Sequence, residues 1–222
     1  MGRDSLDTFF DKTLFKDGFV SNFAWNKFVP GSNPYYGQFY YMICKMIAAR
    51  FIVEIGIDRG HSSYYMGMAA KENGGLFVGV EILKGRADKV KQAMNEMGIP
   101  NKIVVGDTKT FTSWEHSPQI DFILLDGEHS REAVLNEIKI VYPKLHRHSV
   151  VAIHDVYSIA ADAYYHLLND DRYNFHHIEF PGNYGLALLV KQDGNWMEML
   201  KSRTEHARMR CEQMYHLEGQ SG

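Results

Sequence analysis

Acidic residues recur at the ends of short apolar runs in this chain, which is where a parallel sheet presents its ligand-binding rim. The runs beginning at Phe51, Leu76, Lys102, Ile120 and Ser149 carry Glu54, Glu81, Asp107, Asp126 and the pair His154-Asp155 at or near their ends. Several acids converging on one rim repel each other unless donors or a cation are present. Each position suits a definite task. Glu81, at the tip of a second strand, can accept hydrogen bonds from both hydroxyls of a ribose. Asp107, at the tip of a third, could accept from an adenine amino group. Asp126 and Asp155, on runs expected to be neighbouring strands, suit a hard divalent cation with waters completing its shell. Either acid could instead cap the helix that follows it.

The turn after the first run narrows the choice of ligand. Glu54 and Gly56 are followed by Gly60 and Ser62, and Ser62 to Ala70 reads as a helix. A buried strand, a glycine turn and a helix N-terminus let backbone N–H groups meet an anion or a carboxylate. With Glu81 on the next strand, the unit is expected to bind an adenosine-containing cofactor. Dinucleotide enzymes need G-x-G-x-x-G so that a pyrophosphate can lie against the backbone. Here Ile57, Asp58 and Arg59 separate Gly56 from Gly60, so an NAD-linked oxidoreductase is disfavoured.

This E-x-G-x-x-x-G form resembles the first motif of class I S-adenosylmethionine-dependent methyltransferases. The segments Asp126 to Ser130 and Ala152 to Asp155 sharpen the resemblance, over roughly residues 38–191. They are similar to the branch holding catechol-type O-methyltransferases, sugar O-methyltransferases and the so-called cephalosporin hydroxylase family. The resemblance implies Glu54, Gly56, Gly60 and Ser62 as turn and methionine-end contacts, Glu81 as the ribose ligand and Asp107 as an adenine contact. It implies Asp126 and Asp155 as metal carboxylates. Two departures matter. His154 stands where sugar-type enzymes have an acid, and Val156 where catechol-type enzymes have Asn. An imidazole at 154 lowers the negative charge of the site and softens it from Mg toward Mn, Zn or Fe. Successive strand side chains point to opposite faces, so His154 and Asp155 reach one ion only where the strand has ended and the chain turns. His129 falls where catechol-type enzymes carry a lysine. It could be the general base, since an unperturbed imidazole titrates near working pH, or only a helix-start or surface residue. His116, His146, His148, His176 and His177 show no ligand spacing.

The implied reaction is in-line attack by the oxygen of a small-molecule hydroxyl substrate on the sulfonium methyl group, with the cation lowering the hydroxyl pKa. Two other readings remain. One is a methyltransferase without metal, in which His129 or Asp126 alone removes the proton. The other is a cofactor-binding scaffold without catalysis.

The elements that must position these groups follow from periodicity. Helices are expected over 38–49, from Ser62, over Lys84 to Met97, over Arg131 to Leu145 and over Ala160 to Leu168. The last apolar runs, Asn174 to Phe180 and Gly185 to Lys191, are close enough for an antiparallel hairpin. The order predicts an α/β, Rossmann-like, doubly wound and mostly parallel seven-stranded sheet with an antiparallel edge hairpin. Residues 1–37 are expected to form an aromatic-rich arm that is a lid, part of a subunit interface or a filling-out of the core. Residues 38–192 form the methyltransferase domain, and 193–222 a weakly periodic C-terminal helix and tail. The 222 residues are 45% hydrophobic and 23% charged, with net charge −3. That is a globular composition with no electrostatic footprint for nucleic acid. Two cysteines, Cys44 and Cys211, make no disulfide framework. No run suits a membrane span, and acids near the N-terminus argue against a signal peptide, so the expected location is cytoplasmic. A homo-oligomer is compatible with the aromatic arm.

Overall fold

The first strand explains the layering of the whole sheet. Phe51–Ile55 (β1) is buried along its entire length, and its side chains alternate between two cores. Phe51, Val53 and Ile55 join one core, while Ile52 joins the other with Ile57, Tyr64 and Met66. The computed structural model describes residues 34–113, 119–181 and 184–191. The arm before residue 34, the expected C-terminal helix over 193–222 and His116 lie outside the described residues.

In chain order, Pro34–Met46 (α1) precedes β1, followed by His61–Glu72 (α2), Leu76–Glu81 (β2), Lys84–Glu96 (α3) and Asn101–Val105 (β3). After a 3₁₀ segment come Ile120–Leu125 (β4), Arg131–Val141 (α4), Leu145–His154 (β5) and Ala161–Leu168 (α5). Phe175–Phe180 (β6) and Leu186–Lys191 (β7) close the described chain. The seven strands run in the order β3-β2-β1-β4-β5-β7-β6. β1 to β5 pair in parallel, and β7 is antiparallel to both β5 and β6. The doubly wound sheet with its edge hairpin is as expected. The order reverses beside β1, which opens a crevice at the carboxyl ends of the strands.

Helices α1, α2 and α3 supply Tyr40, Cys44, Tyr65, Val90 and Met94 to one core. Helices α4 and α5 supply Val134, Ile138, Val141, Tyr164 and Leu167 to the other. Among the described residues no helix is long and apolar enough to cross a membrane.

Several boundaries differ from expectation. Helix α1 begins at Pro34 rather than residue 38, because proline suits the first helical position, where its missing N–H is not needed. Helix α4 ends at Val141, and Tyr142–Lys144 tightens into a 3₁₀ turn containing Pro143. Strand β5 therefore starts at Leu145 rather than Ser149. The extra residues are absorbed by a register shift: Ile120 pairs with Leu145, but Phe122 pairs with Val150.

Candidate active site

Glycine at position 56 lets the ends of β1 and β4 meet. Gly56 has φ 86°, and a Cβ there would lie 2.4 Å from the carbonyl oxygen of Asp126, so only glycine fits this turn. Its N–H continues the ladder to Val80 O at 2.9 Å, and Asp126 N–H donates to Ile55 O at 3.0 Å. Gly60, with φ 82°, is the N-cap of α2, and a Cβ there would lie 2.9 Å from Val90. Alternation along β1 aims Glu54 at α2, where it is fully buried and its two oxygens accept from the hydroxyls of Ser62 and Ser63. Burial pushes the Glu54 carboxyl up to about 8, against the pull of those hydroxyls.

A cleft of about 670 Å³ opens over the tips of β1 to β4. Of the residues expected at a cofactor, Gly56, Glu81 and Asp107 line it, and so does Asp126, expected at a metal. Glu54, Gly60 and Ser62 do not; they stand behind it and fix the turn. Glu81 is nearly buried, accepting from Leu83 N–H at 2.8 Å and Asp58 N–H at 3.0 Å. Its carboxylate is thus held rigid at the wall with lone pairs to spare. Asp107 is exposed and accepts from Lys109 N–H at 3.0 Å. Asp58 and Arg86, ion-paired at 2.5 Å, also line the cleft, as do Thr108 and Glu137.

Beside this cleft the tips of β4 and β5 bring Asp126, His154 and Asp155 together, with one ligand atom of each within 4.8 Å of the others. Asp155 makes this possible. Its φ is 63°, a left-handed turn that aspartate tolerates better than most side chains. His154 is the last strand residue and already faces the site, and the turn swings the next carboxylate back onto the same side. His154 Nδ1 lies 3.1 Å from Asp126 Oδ1 and 3.3 Å from Asp155 Oδ1. His129 Nε2 approaches from the loop after β4, 3.5 Å from Asp155 Oδ2 and 3.8 Å from Asp126 Oδ1. Burial lowers the His154 pKa, but the hydrogen bond to Asp126 and the charges of both aspartates outweigh it and hold the imidazole above its ordinary value. Burial and the charge of Asp126 raise Asp155, with His154 and His129 opposing.

Two carboxylates and an imidazole are a donor set for a divalent cation. A second observation agrees: Asp155 Oδ1 is buried and makes no hydrogen bond among the described residues. These residues fit an ion.

Sequence reasoning missed Tyr36 of α1, whose ring meets His154 edge-on at a centroid distance of 5.1 Å. Burial, then the charge of Asp155, raises its phenol. The signal available was Tyr36 and Tyr40 one helical turn apart on a helix leading into β1. His146 Nε2 bonds Asp121 at 2.9 Å, at the opposite ends of the strands, and His148, His176 and His177 are exposed.

Residues 53–156 match the family model described as a methyltransferase domain. Over that stretch the chain is similar to methyltransferase domains. Solved structures agree at the level of the fold. The cofactor-bound protein Rv0187 from MTB is 17% identical, with 87% of this chain and 99% of that one covered at a TM-score of 0.69. The O-methyltransferase TomG from Streptomyces achromogenes, in complex with SAM, is 16% identical, with coverage of 85% and 96% and a TM-score of 0.65. An O-methyltransferase from Bacillus cereus in complex with SAH is 17% identical, with coverage of 84% and 97% and a TM-score of 0.67. No curated protein sequence matches this chain. The expected class I methyltransferase fold is therefore borne out.

Proposed function

We propose that this domain methylates a hydroxyl group of a small molecule with S-adenosylmethionine, assisted by a divalent cation held by Asp126, His154 and Asp155. The observation that carries the reading is a shared residue: Asp126 belongs both to the cleft lined by Glu81 and to the cluster with His154 and Asp155. An acceptor at the cluster is therefore next to a donor in the cleft. When bound, S-adenosylmethionine supplies an already activated methyl group, and the cation supplies a positive charge that lowers the acceptor pKa. The protein's own work is alignment and proton handling. Glu81 holds the ribose hydroxyls, and Gly56 keeps the turn open for the methionine end. Glu54 locks Ser62 and Ser63 behind it, and Asp107 faces the adenine side. His129 Nε2, beside Asp155, is the base that takes the acceptor proton. Tyr36 covers the cluster from α1. The imidazole of His154 favours Mn or another transition ion over Mg.

One observation favours a second reading, without metal. His154 already lies within ion-pair distance of both aspartates, so the cluster can balance its own charge and leave His129 to act alone.

Two variants test these readings. Asp155→Asn tolerates the same left-handed turn, so it retains cofactor affinity and loses metal-dependent turnover. Full activity of that variant in EDTA would remove the cation. Glu81→Ala loses a charge-assisted contact of about 1.5–3 kcal/mol, so calorimetry with S-adenosylhomocysteine should show at least a tenfold weaker Kd while circular dichroism shows the fold retained. An unchanged Kd would sink the cofactor assignment.

A further inference from the structure

Glu137 is an acid without an evident reason to be one. It sits on α4 between Val134 and Val141, is 5% exposed, and lines the cleft. Its Oε1 accepts from Thr108 Oγ at 3.0 Å, but its Oε2 is buried and makes no hydrogen bond among the described residues. If Glu137 only tied α4 to the segment after β3, one oxygen would suffice, and the second is a buried polar atom left unsatisfied, which is costly. Burial, with the charge of Glu128 adding to it, pushes this carboxyl up to about 7. A carboxyl in that range carries a proton for much of the time at neutral pH, so Oε2 can be an O–H donor.

The place of Glu137 in the cleft says what it would donate to. Glu81, the candidate ribose ligand, is the last residue of β2, and β3 lies on its far side. A nucleoside held there extends its base toward Asp107 and Thr108, and Thr108 is the residue that touches Glu137. A purine such as adenine offers an amino donor and several ring-nitrogen acceptors. Asp107 can satisfy only the amino group, since a carboxylate accepts and does not donate. The opposite wall is a face of α4 carrying Ala133, Glu137 and Ile140. On that face Glu137 holds the buried O–H.

We propose that Glu137 is the hydrogen-bond donor to a ring nitrogen of the bound purine, so that Asp107 and Glu137 together read adenine from both sides. The inference rests on the cofactor occupying this cleft as proposed above.

The test is calorimetric binding of S-adenosylhomocysteine and its 1-deaza, 3-deaza and 7-deaza analogues to wild type, E137Q and E137M. One neutral hydrogen bond is worth about 0.5–1.5 kcal/mol, so one analogue should bind wild type about two- to tenfold more weakly than the parent. E137M should bind the parent that much more weakly and no longer distinguish that analogue. E137Q keeps an acceptor for Thr108 and a donor for the base, and should restore the discrimination. Wild type binding all three analogues as tightly as the parent would overturn the proposal without needing any variant to fold. So would E137M that still discriminates. Wild type that fails to bind S-adenosylhomocysteine at all would overturn the cofactor reading, and this inference with it.

Discussion

Glu54 carries a stability consequence that its place behind the cleft makes measurable. Its ordinary pKa is 4.5, and burial raises the folded value to about 8. The folded state therefore holds a proton that the unfolded state releases first. The favourable contribution is fully present below about pH 4.5 and is lost as pH climbs through 8. Ionising a fully buried acid over that window costs on the order of a few kcal/mol. Urea midpoints should fall between pH 5.5 and 8.5 more steeply for wild type than for Glu54→Gln, which has nothing to ionise there. Equal slopes would show that Glu54 ionises freely in the fold. The same logic explains which site residues the sequence could reveal. Glu81, Asp107, Asp126 and Asp155 end apolar runs, and position alone marks them. Glu137 was visible only as an acid breaking the apolar face of α4, and helices carry many acids for no such reason. Tyr36 was hidden among other aromatic residues, since only the packing of α1 brings it to His154.

Elements were legible where the period was long and bounded, as in α3 and β2, and less so where a local bond set the boundary. The start of β5 is such a case. Ser149 Oγ donates to Ile120 O at 2.6 Å and accepts from His146 N–H at 2.7 Å. Asp121 Oδ2 accepts from the N–H groups of Arg50 and Phe51, each at 2.7 Å, and its Oδ1 faces His146 Nε2 at 2.9 Å. This knot joins the entries of β1, β4 and β5, and no periodicity announces it. Asp121→Ala should destabilise the protein by about 1–3 kcal/mol, because it strips the acceptor from two backbone donors. Since the knot lies at the amino ends of strands whose carboxyl ends carry the cleft, S-adenosylhomocysteine affinity should not change. A urea titration and calorimetry on the same preparation separate the two effects. A variant of wild-type stability, or one with a weakened Kd, would contradict this division of labour.

At the scale of the whole molecule, a parallel sheet gathers its strand exits at one end, and here the two ends differ in kind. The carboxyl ends carry Gly56, Glu81, Asp107, Asp126 and the cluster at His154, at the last residues of strands or on the turns that follow them. The amino ends carry the knot of Asp121, His146 and Ser149, built from direct hydrogen bonds. Parallel strands β1, β2 and β4 are covered on both faces by apolar cores, so a ligand at one end has no soft path to the other. Hydrogen exchange should therefore respond to S-adenosylhomocysteine in a polarised way. Slowing is expected in peptides spanning residues 56–62, 81–86, 106–110 and 126–137, and in α1 where Tyr36 covers the cluster. Peptides over residues 119–121 and 145–149 should exchange as they do without ligand. Uniform slowing would mean that the ligand tightens the sheet as one body, and slowing confined to the amino ends would put the cofactor at the wrong end of the strands. Either result would break the link drawn between strand polarity and chemistry, because that link confines what the cofactor orders to the carboxyl ends of the strands and the segments that face them.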